Sequence, residues 1–301
     1  DRLEYIGKYI GEKDKDGNVK LSKMGGGDWT RVKSKAKTAA KNIAKELIAL
    51  YAERQRKPGY AFPPDCELEE EFAASFEYEE TESQSLAIEE IKKDMMKPVP
   101  MNRLLLGDVG FGKTEVALRA AFKAVVAGKQ VAFLVPTTIL ALQHYQTSLS
   151  RMRNYPVTVE MLSRFRTPKE QEAILRKVKR GEVDILIGTH KLLSKKLEFR
   201  SLGLLIVDEE QRFGVVQKEK LKEMAKNIDV LTLSATPIPR TLNMAMNGIS
   251  DMSVLDEVPG ERVPVQTYVL EYDASVIYEA IRRELSRGGQ VYFIHNNVEQ
   301  L

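Results

Sequence analysis

Residues 107–114 form a glycine-rich segment with the spacing of a phosphate-binding loop. The segment lies between an apolar run and a helical pattern, which is the context that this motif requires. Glycines let backbone N–H groups surround phosphates, and the following helix directs its positive end toward them. The Lys113 ammonium can then reach the β- and γ-phosphates, while the Thr114 hydroxyl can ligate Mg²⁺. The predicted cofactors are therefore ATP and Mg, bound by Gly107, Asp108, Val109, Gly110, Phe111, Gly112, Lys113 and Thr114.

An acidic cluster at residues 208–211 supplies the second half of such a site. It follows the apolar run 204–207, and α/β sheets bind ligands beyond the carboxyl ends of their strands. Asp208 would hold Mg²⁺ directly or through water, and Glu209 would accept a proton from the attacking water. Alone, this cluster could equally be a solvated loop. Paired with the phosphate loop, it predicts a site for ATP hydrolysis.

From residue 81 onward, compact apolar runs alternate with helical patterns such as 114–128 and 167–181. Runs that are apolar on both faces and separated by helices favour a parallel sheet covered on both sides, so the fold class is α/β. A second unit of this kind begins near residue 263, with a predicted helix at 274–287. The predicted strands are 103–107, 130–136, 157–162, 184–188, 204–208 and 229–234, followed in the second unit by 265–270 and 290–294.

The first 80 residues have a different pattern. They predict a hairpin over 5–21, a helix with a basic face over 28–56, and an acidic stretch over 65–82. Two interpretations are open for the helix and the acidic stretch. Composition favours a solvated helix followed by a charged linker, and the alternative is docking against a partner or against the α/β domain.

The composition of the whole chain limits the functional classes. With 301 residues, 43% hydrophobic and 30% charged, the sequence indicates a soluble globular protein. No apolar run approaches the roughly 20 residues of a membrane-spanning helix. The single cysteine, Cys66, cannot form an internal disulfide, and no signal segment opens the chain, so a cytoplasmic location is predicted. A net charge of +3 favours a nucleic-acid partner only weakly.

The segment Asp208–Gln211 resembles the DExx box of superfamily 2 helicases and translocases. Residues 76–84 resemble the Q motif of that superfamily, which implies that Phe76 and Gln84 contact adenine. Residues 136–144 resemble motif Ia. Two further segments, 163–166 and 188–190, resemble later DNA-contacting motifs, and 234–236 resembles motif III, which links the nucleotide site to DNA.

This resemblance implies a RecA-like P-loop NTPase domain and assigns a role to each matching residue. Arg164 and Arg166 could also be ordinary surface charges. His144 and His190 are expected to be polar elements of DNA-facing loops rather than metal ligands, and no structural metal is expected. The implied catalytic residues are Lys113, Asp208, Glu209 and Gln211; the implied DNA contacts are Thr137, Thr138, Gln143, Arg164, Arg166, Thr189 and His190; and the implied coupling residues are Ser234 and Thr236.

Longer stretches resemble one branch of the superfamily, which contains the RecG helicases and the transcription-repair coupling factors, or Mfd family. Residues 208–214 and 234–242 resemble both groups. The segments that favour the coupling factors are 1–3, 8–11, 23–29, 264–269 and 287–293.

The coupling-factor resemblance implies a motor that moves along double-stranded DNA, displaces stalled RNA polymerase and recruits excision-repair proteins such as UvrA through other regions. The alternatives are a RecG-type branched-DNA helicase and a module that binds nucleotide or polymerase without hydrolysis. Because the superfamily places its arginine finger in later motifs, the chain is expected to be a fragment that is nearly inactive alone. The implied domains are the tail of a polymerase-interacting module (1–27), a basic relay helix (28–57), an acidic linker (58–80), a first RecA-like domain (81–262) and the start of a second (263–301).

Overall fold

The computed structural model describes residues 58–194, 196–235, 251–260 and 266–294, together with Ser34 and Thr38. The chain divides into two compact units, Asp1–Gly260 and Glu261–Leu301. The predicted hairpin at 5–21 lies outside the described residues. Of the predicted helix at 28–56, only Ser34 and Thr38 are described, and both are helical. Within the described ranges, no helix has the length and apolar character needed to cross a membrane.

A seven-stranded, entirely parallel sheet forms the centre of the first unit, which confirms the α/β fold class. The six strands predicted for this unit are present, with ends that differ by at most two residues. The strands are β1 (Asn102–Gly107), β2 (Gln130–Leu134), β3 (Val159–Leu162), β4 (Ile185–Gly188), β5 (Leu202–Asp208), β6 (Asp229–Ser234) and β7 (Asp251–Leu255), in the spatial order β3-β4-β2-β5-β6-β1-β7.

Strand β7 was not predicted, because its sequence carries the polar residues Asp251 and Ser253. It forms because it pairs in parallel with β1, where Arg103 lies opposite Asp251. The buried Ser253 hydroxyl accepts a hydrogen bond of 2.8 Å from the Arg103 guanidinium. A buried polar group with a partner is tolerated in a strand, but the partner comes from a distant segment that composition does not reveal.

Helices cover both faces of the sheet. Successive strand residues point to opposite faces, so Ile206 belongs to one hydrophobic core and Leu205 to the other. The helices are α1 (Glu67–Ala74), α2 (Glu82–Met95), α3 (Lys113–Val126), α4 (Thr138–Arg151), α5 (Pro168–Arg180), α6 (Val215–Met224) and, in the second unit, α7 (Ala274–Ser286). Helices α1 to α4 pack on the first face, and α5 and α6 on the second.

The acidic stretch does not behave as the solvated linker that composition favours. Phe72 of α1 is 1% exposed and stacks on Phe122 of α3, with ring centres 4.1 Å apart. The Lys123 ammonium, also from α3, donates hydrogen bonds to Asp65 (2.7 Å) and Glu69 (3.3 Å). Docking against the α/β domain is therefore the interpretation that the structure supports, because buried cations on α3 neutralise the carboxylates.

The charge environment of Asp65 follows from this docking. Partial burial alone would raise the pKa of its carboxyl group. Hydrogen bonds and ion pairs with Lys123 and Lys92 outweigh that effect, and the pKa of Asp65 lies below its ordinary value. Asp65 is thus held to the domain in its charged form.

In the second unit, helix α7 begins after Asp273, whose carboxylate accepts a hydrogen bond from the Ser275 backbone N–H. The prediction of strands at 265–270 and 290–294 is wrong for the residues described there, 266–270 and 290–294, which are not in strands. A lone extended segment leaves its backbone hydrogen-bonding groups unpaired, and no described neighbouring segment pairs with either of these.

Candidate nucleotide site and nucleic-acid face

The residues with predicted functions lie at the carboxyl edge of the parallel sheet, in two adjoining groups. The phosphate loop follows β1 and the acidic cluster follows β5, while β6, which ends at Ser234, lies between them. Strands β1 and β5 are therefore two strand spacings, or about 10 Å, apart. We call this part of the edge the nucleotide half. The segments after β2, β4 and β3 form the other part, which carries the predicted DNA contacts and which we call the DNA half.

The phosphate loop turns sharply into α3. Gly112 has φ +80°, in the left-handed region, and a Cβ atom there would collide with the Gln84 side chain. Only glycine therefore satisfies both the backbone and the space at this position. The Lys113 ammonium folds back over the loop and donates hydrogen bonds to the carbonyl oxygens of Gly107 (2.6 Å) and Asp108 (2.8 Å).

The Lys113 side chain lies in an electrostatic environment suited to an anion. Burial lowers the pKa of its ammonium below the ordinary lysine value, and the nearby carboxylates of Asp208, Glu209 and Asp108 partly oppose this effect. A desolvated cation is stabilised by a closely approaching phosphate. Thr114 follows Lys113 in the first turn of α3.

The side chains present fit a magnesium nucleotide. A glycine cradle, an ammonium, a hydroxyl and two carboxylates bring together the groups that hold phosphates and the oxygen ligands that Mg²⁺ prefers. In the described ranges, no three His, Cys, Asp or Glu side chains cluster as a metal site. Thr114 and Asp208, together with the phosphates, are the ligands that would hold Mg²⁺.

The acidic cluster has an unusual backbone. Asp208, at the end of β5, is buried, and Glu209 follows it with φ 51° and ψ 49°. Glu209 is the one non-glycine residue with positive φ among those described. Such a conformation typically costs about 1 kcal/mol or more, and residues held in it occur preferentially at functional sites. The Gln211 amide donates a hydrogen bond to the Glu209 carboxylate, so the structure brings these two predicted residues together.

His144 differs from its expected position. It was predicted to face DNA from a loop, but it lies inside α4, is 7% exposed, and has its Nε2 atom 3.1 Å from Asp208 Oδ2. Its ring packs against Phe133 of β2, with ring centres 4.6 Å apart. The spacing of Ala141, His144 and Ser148, which share the buried face of α4, is the sequence signal that could have placed it inward.

Gln84 is buried beside the phosphate loop. Its Oε1 atom accepts a hydrogen bond from the Thr81 backbone N–H (3.1 Å), and its Nε2 atom donates one to the Phe111 carbonyl (2.9 Å). Gln84 therefore braces the start of α2 against the loop. One N–H and one oxygen lone pair of the amide are not used by these two bonds, so the contact with adenine stays a prediction.

Phe76, the other predicted adenine contact, is held by two arginines that the sequence did not single out. The guanidinium carbons of Arg119 and Arg151 lie 5.8 and 5.6 Å from its ring centre. Both arginines also bind the Glu115 carboxylate, which directly follows Thr114 on α3. Their spacing of 32 positions gives no local signal, because the pair forms only when α3 and α4 pack together.

The predicted DNA contacts of the DNA half lie on several segments and differ in exposure. Thr137 caps α4 by accepting a hydrogen bond from the Leu140 N–H, Thr138 is the first residue of the helix, and Gln143 is exposed. His190 is exposed, whereas Thr189 is buried at 3% exposure. The structure thus brings four of these five residues to the end or outer face of a segment at this edge, and it does not expose Thr189.

The two predicted arginine contacts after β3 have unequal surroundings. Arg164 is exposed, and its guanidinium lies 6.0 Å from the centre of the exposed Phe165 ring. Arg166 is partly buried and lies 3.9 Å from a Glu160 oxygen and 3.8 Å from a Glu170 oxygen. Of the predicted coupling residues, Ser234 is buried at the end of β6, and Thr236 lies outside the described residues.

Comparison with curated proteins finds close similarity along the whole chain. The chain is 57% identical over 301 residues to the transcription-repair-coupling factor of Bacillus subtilis (strain 168), and covers 25% of that protein. It is 54% identical over 301 residues to the transcription-repair-coupling factor of Staphylococcus aureus (strain USA300), and covers 26% of it. The chain therefore spans about a quarter of the length of these relatives.

Comparison with solved structures finds similar helicases. A structure of RecG bound to a three-way DNA junction superposes with a TM-score of 0.70 at 38% identity, over 85% of this chain and 36% of that one. The helicase MrfA bound to DNA, with a TM-score of 0.55 at 16% identity over 76% of this chain and 36% of that one, shares the fold. The family model of DEAD/DEAH box helicases matches residues 81–245, more than half of the chain. The chain therefore belongs to the DEAD/DEAH box helicase family.

Proposed function

We propose that this chain is the nucleotide-binding part of an ATP-dependent motor that moves along double-stranded DNA. The observation that carries the proposal is the nucleotide half of the sheet edge. There the partly desolvated Lys113, the Thr114 hydroxyl and the carboxylates of Asp208 and Glu209 surround a glycine cradle. The family uses ATP, typically with Mg²⁺, and the donor set described above fits both.

Each residue of the nucleotide half has a distinct task in this proposal. Lys113 exchanges its hydrogen bonds with two loop carbonyls for the phosphates, and so places its charge against them. When bound, Mg²⁺ would neutralise phosphate charge between Thr114 and Asp208. Glu209 accepts the proton of the attacking water. Gln211 donates a hydrogen bond to the Glu209 carboxylate and orients that carboxylate.

The DNA half supplies contacts to the phosphate backbone. Arg164, Gln143 and His190 are exposed there, and Thr138 begins a helix whose N–H groups can bind an anion. Contacts of this kind position a duplex without reading its sequence. Binding should therefore be similar for unrelated sequences and should weaken as salt rises.

The wider role that we propose is transcription-coupled repair, with RNA polymerase as a partner and with excision-repair proteins such as UvrA recruited through other regions. Similarity to two transcription-repair-coupling factors over all 301 residues supports this. A cytoplasmic location and the domain boundaries given above belong to the same proposal. So does slow turnover by this chain alone, which phosphate release from the purified chain would test.

A second candidate is a helicase that remodels branched DNA, favoured by the 0.70 TM-score with RecG on a three-way junction. The two functions differ in the DNA that stimulates ATP hydrolysis by the full-length protein, which is the sample for this test. A coupling motor should respond to linear duplex as strongly as to a three-way junction of equal length, whereas a branched-DNA helicase should respond mainly to the junction. If neither DNA stimulates hydrolysis while nucleotide still binds, a binding module without productive hydrolysis would be the better description.

A further inference from the structure

The seam between the two halves of the sheet edge lies where β2 pairs with β5. Phe133 of β2 is aligned with Ile206 of β5, and Leu134 with Val207, so the two strands end side by side. Strand β2 leads into α4, which carries predicted DNA contacts, and β5 ends at Asp208, the predicted Mg²⁺ ligand. His144 of α4 crosses this seam and reaches the Asp208 carboxylate.

The surroundings of His144 fix its geometry. Phe133 packs against one side of the imidazole, and the side chain is almost fully buried. Asp208 is buried as well, so its carboxylate depends on hydrogen bonds for orientation. A donor on Oδ2 holds the carboxylate and leaves Oδ1 without that bond, available to another ligand. Groups that hydrogen-bond metal-binding carboxylates in this way are needed for full metal affinity.

We propose that His144 is a positioning residue that orients Asp208 for Mg²⁺ and transmits movement of α4 to the nucleotide site. This inference rests on the proposed function, since it concerns the same site. Gln143 and His144 are consecutive residues of α4. Gln143 lies on the exposed side of the helix, and His144 lies on the buried side. A shift of α4 on binding DNA therefore moves the imidazole, and with it the hydrogen bond to Asp208.

The test is a titration of a fluorescent ATP analogue into the protein, once with excess Mg²⁺ and once with EDTA. His144→Leu removes the N–H donor but keeps an apolar side chain against Phe133. We expect it to reduce the gain in affinity caused by Mg²⁺ by about 10-fold, with affinity in EDTA unchanged. His144→Gln, whose amide nitrogen can occupy the place of Nε2, should restore most of the gain.

The matched control is Ser148→Ala. Ser148 is one turn further along the same buried face of α4, and its hydroxyl has no hydrogen-bond partner in the structure, so its removal breaks no bond to the site. If His144→Leu does not fold, His144→Asn takes its place, because the shorter amide does not reach Asp208 and should show the same loss.

The outcomes separate this inference from the proposed function. If the unmodified protein shows no Mg²⁺-dependent nucleotide binding, the proposed function fails and the inference with it. If that binding is present but His144→Leu matches it, or if His144→Gln is as defective as His144→Leu, only the role of His144 is overturned. The coupling step is tested in the full-length protein. There His144→Leu should reduce the stimulation of kcat by duplex DNA without changing the DNA concentration needed for half-maximal stimulation. An unchanged stimulation would limit His144 to positioning Asp208.

Discussion

The two halves of the sheet edge are built in opposite ways. In the nucleotide half, Lys113, Asp208 and Glu209 are each held by a hydrogen bond to a loop carbonyl, to His144 or to Gln211. In the DNA half, Arg164 and His190 are exposed. A compact ligand with fixed charges binds best to a site whose groups are already in position. A long polyanion instead needs side chains that stay accessible at the surface.

The largest expected effect comes from the cation of the nucleotide half. In the full-length protein, Lys113→Ala should lower ATP hydrolysis by about 10²–10³-fold and abolish movement along DNA, because it removes the charge that faces the phosphates. Phosphate release and translocation of the protein would be measured. Lys179→Ala, an exposed lysine of α5, is the control and should behave as the unmodified protein. Normal movement of the Lys113→Ala variant along DNA would contradict the assignment of the phosphate loop.

Glu209→Gln should separate binding from chemistry within the same half. The amide keeps the shape of the side chain but cannot accept the proton, so hydrolysis should fall by about 10²–10⁴-fold while nucleotide affinity is retained. Equilibrium binding and single-turnover hydrolysis on the same preparation give both quantities. Glu219→Gln, an exposed residue of α6, controls for the loss of one negative charge. Loss of nucleotide affinity together with loss of the fold would instead make Glu209 a structural residue.

The sequence predicted some features of the two halves and missed others. The phosphate loop, the acidic cluster and six strands were predicted because each depends on a short segment: glycine spacing, a polar cluster after an apolar run, or a run apolar on both faces. The docking of the acidic stretch, strand β7 and the position of His144 depend on partners far along the chain. Lys123 reaches Asp65 across 58 positions, and His144 reaches Asp208 across 64.

The same contrast predicts a difference in stability between two arginines. Arg119 is buried, binds Glu115 and Glu80, and also donates to the Ala73 carbonyl. Arg119→Met should lower the free energy of unfolding by about 3 kcal/mol, because it removes a buried cation from the buried Glu115 carboxylate. Arg166→Met, in the DNA half, should lower it by less than about 1 kcal/mol. Urea unfolding of both variants makes the comparison, and equal losses would show that the two halves are equally interlocked.

The smallest expected effects concern DNA affinity, and the structure predicts that two neighbouring arginines differ. Arg164 is exposed beside the Phe165 ring, whereas Arg166 has carboxylate oxygens of Glu160 and Glu170 within 4 Å of its guanidinium. A cation whose charge is already partly balanced releases fewer counterions from DNA. Arg164→Ala should therefore reduce the slope of log affinity against log salt by about 0.9, and Arg166→Ala by less. Both losses should be similar for unrelated duplex sequences.

Two further variants sharpen this last comparison. Glu170→Gln preserves the capping arrangement with Thr167 but removes one charge beside Arg166, so it should raise duplex affinity slightly and steepen the salt dependence. Arg180→Ala removes an exposed arginine at the end of α5, on the opposite edge of the sheet, and should leave the slope unchanged. Fluorescence anisotropy with two unrelated duplexes at four salt concentrations would measure every slope. If Arg180→Ala flattened the slope as much as Arg164→Ala, DNA binding would reflect overall charge, and the DNA half would lose its assignment as the contact face.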